Sequence, residues 1–462
     1  MKFASFRNAR VVRSSWLDEG GRRLDCNPYM SGALEARDAL QLLSARKDKL
    51  SDVTTAIFHS GRESRNWVDD SRYGVRFMGS SAISLADFST LPLISKKQIA
   101  RNPSLVLQES WSLITRSGTI GRMAYVRSDM AGMACSEDVL KVAPDKSRIP
   151  PGFLYAFLSS KYGVPLVVAG TYGAIIQHIE PEHIANLPVP RLGNDFELHV
   201  SGLIQKAAEQ RALASNSRRA AIATFETLLC WERLDMHRLF RSASSADVLR
   251  RMDAFYHSAK VAQGIEALSR LYGVRLAERV ERVFEPNRGA RLKVDHRDYG
   301  VPFLSSSAVF EVHPKGEYLI SRSRTPHFDS LLLSSRDVLL PRSGQLGGII
   351  GRAALPLIDN VGNAGSEHLV RVRCRSDEDA AYLWAVLASE PGYWAVVGTA
   401  YGSSIPSLDT TLIAEINIPW FNPLDRSRIS SLARDAIEAQ SRGIVYESEA
   451  IRMVEQEIGE NR

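Results

Sequence analysis

One segment of this chain occurs twice. GTYGAIIQHIEPEHIANLPVPRL runs from Gly170 to Leu192, and GTAYGSSIPSLDTTLIAEINIPWF runs from Gly398 to Phe421. The aligned residues Pro190 and Pro419 are 229 positions apart, close to half of the 462 residues. A chain that repeats at half its own length is a duplication. We therefore expect two similar domains and a function that uses two sites.

Further blocks repeat in the same order, which shows that the duplication extends along the chain. The matched pairs are 22–29 with 250–256, 73–81 with 299–307, 113–122 with 339–352, and Ser136-Glu137 with Ser366-Glu367. The offset is 226 in the second pair and rises to 230 within the third, because the second copy carries four extra residues, 345–348. This insertion predicts that the two copies differ in one loop.

The chain alternates between mixed segments and long helical segments. β-branched runs punctuated by Gly and Ser, with a few short helices, indicate an α+β fold rather than a doubly wound sheet. Apolar residues at helical spacing predict long helices from Asn194 to about Cys230 and from Asn422 to about Gly459. Asn194 followed by Glu197 has capping-box spacing, and Asn422 precedes a proline at the first helical position. The expected division is 1–193, 194–233, 234–421 and 422–462.

Composition limits the partners and the compartment. With 44% hydrophobic residues the chain can bury large cores, and 58 basic against 52 acidic residues favour a polyanionic partner such as nucleic acid. The four cysteines form no CxxC pair, so neither a disulfide framework nor a zinc site is indicated. No signal peptide and no membrane span is expected, which predicts a soluble, cytoplasmic protein.

Three repeated motifs resemble those of a known family. They are the Arg-Leu-Asp opening at Arg23-Leu24-Asp25 with Tyr29, the Ser-Gly-x-x-Gly-Arg block from Ser117 to Arg122, and the closing segment from Tyr172 to Pro190. In this order, and twice, they resemble the specificity subunit of type I restriction-modification systems. The likeness covers nearly the whole chain.

The resemblance implies a fold and a function. The two mixed α/β domains would be target-recognition domains, each reading one half of a split site in double-stranded DNA. The two long helices would form an antiparallel coiled coil with a pseudo-twofold internal repeat, which separates the domains. The partners implied are DNA-adenine methyltransferase subunits and, through them, a restriction or translocase subunit.

Base reading needs side chains that reach the groove edges, and the polar loops of each copy supply candidates. In the first copy they are Arg62, Arg65, Asn66, Arg72, Arg76, Gln177 and His178. In the second copy they are Arg288, Arg291, Lys293, Arg297, Ser403 and Ser404, with Gln345 added from the four extra residues. The alternative for any single arginine is a solvated or ion-paired surface residue.

Other residues are candidates for backbone contact or stacking. Arg116, Arg122, Arg342 and Arg352 are candidates for phosphate contact. Tyr172 and Tyr401 begin the two Tyr-Gly turns, and each would either stack on DNA or pack on its own domain. Glu137 and Glu367 recur at matching places, and we expect them to hydrogen-bond within the protein or to face DNA.

Catalysis is expected to lie in another chain. Asn186-Leu187-Pro188-Val189 lacks the aromatic residue with which a methyltransferase motif stacks on a flipped base. The glycine run from Gly344 to Gly348 is followed by no Gly-Lys-Ser/Thr and is better interpreted as a turn. The histidines lack the clustered spacing of zinc ligands. We therefore expect no cofactor and no metal on this chain, and S-adenosylmethionine on the methyltransferase.

Two alternatives from other classes remain open at this point. The chain would be a fused enzyme if it carried an unrecognised nuclease or methyltransferase activity. It would be a protein-binding scaffold in phage defence if its DNA contacts had degraded.

Overall fold

The computed structural model describes residues 14–19, 31–169, 178–232, 242, 244–271, 273–402 and 404–460. The chain divides into two compact units, which we call unit 1 and unit 2. Unit 1 consists of Met1–Ala212 and Arg442–Arg462, and unit 2 of Leu213–Ser441. Each unit thus includes part of both long helices. The division into four segments expected from the sequence stays a prediction.

Unit 1 combines helices with small sheets. Its helices are α1 (Ser14–Glu19), α2 (Ala33–Leu42), α3 (Lys96–Arg101), α4 (Pro151–Leu158), α5 (Gly163–Ala169), α6 (Pro181–Ala185) and the first part of α7 (Asn194–Leu228). Its strands are β1 (Lys47–Lys49), β2 (Thr54–Phe58), β3 (Trp67–Val68), β4 (Gly74–Met78), β5 (Leu93–Ser95), β6 (Ser112–Thr115), β7 (Met123–Tyr125), β8 (Ala134–Cys135), β9 (Val139–Pro144) and β10 (Pro188–Pro190). Short 3-10 helices lie at Leu50–Val53, Ser80–Ser84 and Pro103–Leu105.

Two four-stranded sheets form the body of unit 1. In the sheet ordered β2-β9-β6-β7 all neighbours are antiparallel. In the sheet ordered β3-β5-β4-β8 the last pair is parallel, with Phe77 opposite Ala134. Strands β6 and β9 are buried along their whole length, which explains why their sequences lack the polar alternation of a half-exposed strand. Within the described part of the chain β10 pairs only with β1, so the proline-bearing segment joins the strand that follows α2.

Unit 2 is built from a similar series of elements. Its helices are α8 (Ser245–Arg250), α9 (Ala259–Arg270), α10 (Leu276–Arg279), α11 (Phe328–Leu331), α12 (Asp377–Ala388), α13 (Glu390–Gly398), α14 (Thr410–Ala414) and the first part of α15 (Pro423–Glu460). Its strands are β11 (Gly273–Arg275), β12 (Val280–Phe284), β13 (Lys293–Val294), β14 (Gly300–Leu304), β15 (Tyr318–Ser321), β16 (Asp337–Pro341), β17 (Ala364–Gly365), β18 (Leu369–Cys374) and β19 (Asn417–Pro419). Short 3-10 helices lie at Ala308–Phe310 and Ile358–Asn360.

The strands of unit 2 pair in the pattern seen in unit 1. The sheet ordered β13-β15-β14-β17 again ends in a parallel pair, with Phe303 opposite Ala364. The order β12-β18-β16 matches β2-β9-β6, and an isolated bridge between Leu339 and Ala354 stands where β7 pairs in unit 1. β19 pairs with β11 as β10 does with β1. The mixed helix-and-sheet architecture expected from the sequence is confirmed.

The second Arg-x-Asp opening has a structural role. Arg251 donates to the carbonyl oxygens of Gly398 at 2.9 Å and Ala400 at 2.5 Å, and its guanidinium lies 4.9 Å from the centre of the Tyr256 ring. The opening of the second copy is therefore tied to the end of α13, where the closing segment begins. The first opening, Arg23-Leu24-Asp25, lies outside the described residues.

The two long helices begin differently. Asn422 is the cap expected for α15, because its Oδ1 accepts from the Asp425 backbone at 3.0 Å. α7 begins at Asn194 as expected, but the capping role predicted for Asn194 is wrong. This residue already belongs to the helix, and the Glu197 carboxylate accepts from the Leu192 backbone at 2.9 Å. Arg191 explains the difference, because it binds Glu197 at 2.8 Å and draws the carboxylate back toward the preceding segment.

Within unit 1, residues of α7 pack against residues of α15. The buried residues that the two helices share with the core are Val200, Ile204, Ala208, Ala450, Val454 and Ile458. The Lys206 ammonium lies 5.9 Å from the centre of the Tyr446 ring, and Arg442 donates to Gln210 at 3.0 Å. The residue number on α15 falls as that on α7 rises, so these segments are antiparallel. Leu198, an apolar residue of the first turns of α7, is 53% exposed.

Among the described residues, no single helix has the length and apolar character needed to cross a membrane. The helices α4 and α5 are long and apolar enough only when they are taken together, and a bend of 70° separates them.

A buried ion pair joins the same two helix segments. Arg211 donates to both Glu447 oxygens, at 2.9 and 2.7 Å, and the Tyr155 hydroxyl donates to the same carboxylate at 2.7 Å. All three side chains are buried. Burial raises the pKa of Tyr155, and the adjacent Glu447 carboxylate raises it further. Removal of the carboxylate would leave a buried guanidinium without its counter-charge.

We expect Glu447→Ala to destabilise unit 1 by about 3–5 kcal/mol, the usual cost of breaking a buried ion pair from one side. Glu449→Ala on the same helix is the matched control, since its pair with Arg452 is half exposed and contributes little to stability. Chemical denaturation of the three proteins measures the difference. Equal losses in the two variants would contradict a special role for the buried pair.

Candidate nucleic-acid interface

An arginine, a glutamate and a phenylalanine form a cluster in unit 1. Arg65, in the loop between β2 and β3, donates through Nη2 to the Glu137 oxygens at 3.2 and 3.0 Å. Its guanidinium lies 4.7 Å from the centre of the Phe77 ring. The Trp67 ring meets the same phenylalanine edge-on, with centroids 5.4 Å apart. We call Arg65, Glu137 and Phe77 the unit 1 cluster.

The parallel strand pair explains how these residues meet. Phe77 lies on β4, and β8 runs beside it with Cys135 opposite Met78. The pairing continues beyond the strand, because Ser136 donates its backbone N–H to the Met78 carbonyl at 2.9 Å. Glu137 follows directly and so reaches the face of the sheet on which Arg65 lies. Residues about 60 positions apart in the sequence thus become neighbours.

Unit 2 contains the same cluster at the aligned positions. Arg291 donates through Nη2 to Glu367 at 2.5 Å, and its guanidinium lies 4.5 Å from the centre of the Phe303 ring. Arg291 and Phe303 are 226 residues beyond Arg65 and Phe77, and Glu367 is 230 beyond Glu137, which are the offsets of the surrounding blocks. We call Arg291, Glu367 and Phe303 the unit 2 cluster. The duplication thus preserves a charge arrangement as well as a fold.

The electrostatics of the unit 2 cluster favour the ion pair. Burial by itself would raise the pKa of Glu367, but the hydrogen bond from Arg291, a backbone hydrogen bond and the nearby positive charge together lower the pKa below the usual value. Burial would lower the pKa of Arg291, but its hydrogen bonds to Glu367 and Tyr318 raise it instead. Both groups are therefore charged at neutral pH.

The surroundings of the two clusters differ. Arg291 also donates through Nη1 to the Tyr318 hydroxyl at 3.1 Å, and Pro92 is the aligned residue in unit 1. Lys293 of unit 2 aligns with Trp67 of unit 1, and the Lys293 ammonium lies 4.1 Å from the centre of the Tyr318 ring. A common centre thus has different neighbours in the two units.

Sequence analysis named the arginines and glutamates of the clusters but did not pair them. It assigned Arg65 and Arg291 to base reading and treated Glu137 and Glu367 separately. The signal was present, because each member lies in or beside an aligned block and keeps that block's offset. Phe77 and Phe303 were counted only as strand residues.

Arg116, a candidate for phosphate contact, is bound to other residues of unit 1. It forms an ion pair with Glu180 and donates to the Ile179 carbonyl at 3.0 Å, and its side chain is 11% exposed. Burial by itself would raise the pKa of Glu180, but Arg116 and His59 lower it below the usual value. The contacts hold the middle of the closing segment beside the end of β6. A phosphate contact by Arg116 stays a prediction.

Arg342, at the aligned position of unit 2, has a different acidic partner. Its Nε lies 2.8 Å from a Glu285 oxygen, and its Nη2 is 3.4 Å from the Tyr401 hydroxyl. Glu285 aligns with His59. The acidic partner of the arginine therefore comes from the closing segment in unit 1, as Glu180, and from the position of His59 in unit 2, as Glu285. Asp409, which aligns with Glu180, instead caps α14 by accepting from the Leu412 backbone at 3.0 Å.

Several other candidates are at the surface. Those with described side-chain partners are Arg72 with Asp70, Arg122 with Ser84, Arg288 with Glu285, and Arg352 with the Gly347 carbonyl. Arg62, Arg297, Gln345 and Ser404 are exposed, and Arg76 and His178 are half-buried. Asn66 is exposed, and its backbone is held by Gln98 at 2.9 Å. The remaining candidates, Tyr172, Gln177 and Ser403, lie outside the described residues.

An exposed tyrosine precedes the strand that carries the phenylalanine of each cluster, and neither tyrosine was predicted from the sequence as a contact. Tyr73 and Tyr299, aligned in the two copies, are 64% and 69% exposed, and Trp67 is 50% exposed. Each tyrosine lies in the turn that leads into the strand carrying the cluster phenylalanine. Exposed aromatic rings among basic side chains are typical of surfaces that stack on the bases of single-stranded nucleic acid. The repeated Tyr-Gly-Val sequence was the available signal.

A buried cation lies in the central strand of each unit. Lys141 on β9 donates to the Ser60 hydroxyl at 2.6 Å and to the Ser104 carbonyl at 2.8 Å, and burial lowers its pKa. Arg371, aligned on β18, donates to four backbone carbonyl oxygens, and burial lowers its pKa to about 10. These cations are internal and bind the loops of each unit together.

No group of three His, Cys, Asp or Glu side chains that could hold a metal ion occurs in the described ranges.

Comparison with known proteins returns structural neighbours only. No protein-family model matches the chain, and no curated protein matches it. The chain is similar to the S subunit of a type I restriction-modification system from M. genitalium, with 10% identity and a TM-score of 0.34 over 90% of this chain and 94% of that one. It is also similar to the HsdS subunit from Thermoanaerobacter tengcongensis, with 15% identity and a TM-score of 0.27 over 89% and 96% of the two chains.

A third similar structure is described as concerning complex assembly and conformational transition of the type I R-M system. Its identity is 15% and its TM-score 0.29, over 90% of this chain and 97% of that one. The family that the sequence motifs resemble is thus the one to which these structural neighbours belong. Because the identities and TM-scores are low, function is inferred from the residues of this chain.

We expect the contribution of Glu367 to stability to depend on pH. Its pKa is lowered in the folded state, so its stabilising effect is present above an unfolded pKa of about 4.3 and is lost as the pH falls through the folded pKa. The difference in free energy of unfolding between the wild type and Glu367→Gln should therefore be largest near neutral pH and shrink in acid. Denaturation at several pH values measures it.

Glu278→Gln is the control for this series, because its ion pair with Arg275 is exposed and contributes little at any pH. A constant difference for Glu367→Gln between pH 7 and pH 3 would show that the carboxylate charge does not stabilise unit 2.

Proposed function

We propose that this protein is a non-catalytic DNA-recognition subunit that reads an asymmetric, bipartite site in double-stranded DNA. The observation that carries the proposal is the repetition of one arginine–glutamate–phenylalanine cluster in the two units. An exposed tyrosine, Tyr73 or Tyr299, precedes the strand that carries each cluster phenylalanine. Two equivalent surfaces on one chain suit two half-sites, and the different neighbours of the clusters suit two different sequences.

The long helices would set the distance between the half-sites. The 35 residues of α7 correspond to about 50 Å at ~1.5 Å per residue, or on the order of 15 base pairs. In this proposal α7 and α15 form an antiparallel coiled coil that relates two target-recognition domains by a pseudo-twofold axis. Such an axis matches the local twofold symmetry of the DNA backbone.

The chemistry would be supplied by partners. We propose that the helices recruit DNA-adenine methyltransferase subunits, which bind S-adenosylmethionine, and through them a restriction or translocase subunit. The support for this step is the duplicated set of motifs and the missing methyltransferase motif in the sequence. The setting proposed is a type I-like restriction-modification or methylation-linked phage-defence system in the cytoplasm.

We expect the full-length chain to select a bipartite sequence from random double-stranded DNA, and its affinity to fall steeply as salt rises. Selection followed by sequencing, with binding measured at several salt concentrations, tests both expectations. Uniform binding to all fragments with little salt dependence would instead favour a protein-binding scaffold.

A second arm of the same experiment tests the absence of activity. The chain is incubated with the selected DNA and either S-adenosylmethionine or magnesium, without any partner, and we expect neither methylation nor cleavage. Turnover by the chain alone would replace the proposal with a fused enzyme.

Shortening both helices should shorten the unread spacer. Residues 206–209 and 443–446 pack against each other in unit 1, and their joint removal takes about one turn, or ~6 Å, from each helix. We expect the preferred spacer to become shorter by roughly two base pairs, at ~3.4 Å each, with the half-sites unchanged. Selection from a library with variable spacers measures this, and altered half-sites with an unchanged spacer would contradict the spacer role.

A further inference from the structure

We propose that Arg65 and Arg291 each read a guanine in the major groove, one in each half-site, and that Glu137 and Glu367 act as positioning residues. This inference rests on the proposed function, because it needs a chain that reads two DNA half-sites. It adds which residues carry the discrimination and which base they select.

The clusters restrict the guanidinium groups. Glu137 binds Arg65 through Nη2, and the Phe77 ring supports the guanidinium plane from one face. A planar group fixed at one edge and one face loses little further freedom when it binds a ligand. Its remaining donors are therefore pre-organised for hydrogen bonds in fixed directions.

The exposures show where donors remain. The side chain of Arg65 is 33% exposed and that of Glu137 only 15%, so the carboxylate lies on the inner side of the pair. The values for Arg291 and Glu367 are 31% and 10%. Nε and Nη1 of Arg65 donate to no described residue, which leaves three of its five N–H groups for a ligand. Arg291 uses Nη1 for Tyr318 but keeps Nε and the second hydrogens of its Nη atoms.

The net charge of each cluster distinguishes a base edge from a phosphate. An arginine paired with a carboxylate has no net charge, and a phosphate placed on it would be repelled by the nearby glutamate. The O6 and N7 atoms of guanine are neutral acceptors that sit side by side in the major groove and suit arginine donors. Adenine presents an amino group in place of O6, which an arginine cannot satisfy. Guanine is therefore the base that this arrangement selects.

The duplication supports the same role in both units. A surface ion pair with no function contributes little to stability, and many contribute nothing measurable. Here all three members are retained at aligned positions, although neighbours such as Trp67 and Lys293 have diverged. The common centre would read the same base in each half-site, and the diverged neighbours would read different flanking bases.

The experiment compares base preferences of full-length variants on double-stranded DNA with randomised half-sites. Arg65→Ala should lose its guanine preference at one position of one half-site, by a factor on the order of ten or more. Arg291→Ala should do the same in the other half-site only. Arg148→Ala in unit 1 and Arg275→Ala in unit 2 remove exposed, ion-paired arginines outside the clusters and should leave every preference unchanged.

Neutralising the positioning residues separates orientation from charge. Glu137→Gln removes one negative charge, so binding to non-specific DNA should tighten and its salt dependence should steepen. The guanine preference should weaken, because Arg65 is no longer held in place by a carboxylate. Arg65→Lys keeps the positive charge but loses the planar donors, so it should also lose the preference. Thermal melting checks that each variant is folded. If Arg65→Ala does not fold, Arg65→Lys tests whether the guanine preference depends on the guanidinium.

The outcomes are distinct. A uniform loss of affinity over all sequences in Arg65→Ala, with the salt slope reduced by about one, would identify a phosphate contact and overturn the inference. A wild-type preference that both cluster arginine variants retain would also overturn it and leave the proposed function intact. A wild-type chain that shows no sequence preference at all would overturn the proposed function itself.

Discussion

The parallel pairing of two short strands is the constraint on which each candidate site depends. Parallel neighbours cannot be joined by a tight turn and need a long crossover connection. In unit 1 the connection runs from Met78 at the end of β4 to Ala134 at the start of β8. It brings Glu137 beside a phenylalanine that precedes it by 60 residues. The same pairing between β14 and β17 brings Glu367 to Phe303. If the strands were not registered in this way, the arginine loops would have no carboxylate to bind.

The interior of each unit explains why this register is held. The central strands carry a cation that donates only to neutral groups in the described structure, Lys141 in one unit and Arg371 in the other. A buried charge is costly unless its hydrogen bonds are satisfied, so the carbonyl groups that receive them must be correctly placed. The oxygens of Ser366 and Gly365, which accept from Arg371, immediately precede Glu367. In unit 2 the internal cation thus fixes the backbone from which the Glu367 carboxylate projects.

Much of the architecture could be predicted from the sequence, because a duplication provides its own alignment. The two long helices were placed within a few residues, since apolar periodicity and caps such as Asn422 are local signals. The Asn194 cap was wrong, because Arg191 competes for Glu197 and no local rule contains that contact. The end of α2 at Leu42 has no such local signal, because the residues after it pair with β10, a strand far along the chain. Local patterns do not report pairings of that range.

The candidate sites show the same limit. Arg65 and Arg291 were identified by residue type and loop position, but their partners depend on the strand register. Arg116 looked like a phosphate contact from its motif, and only the structure shows it bound to Glu180 and the Ile179 carbonyl. An unpaired arginine and an arginine paired with a carboxylate present different net charges to a ligand, although the sequence shows the same residue type in both cases. The distinction between contacts that hold a domain together and contacts that read a base therefore lies in the partners of the arginines, and in this chain those partners are repeated in both units.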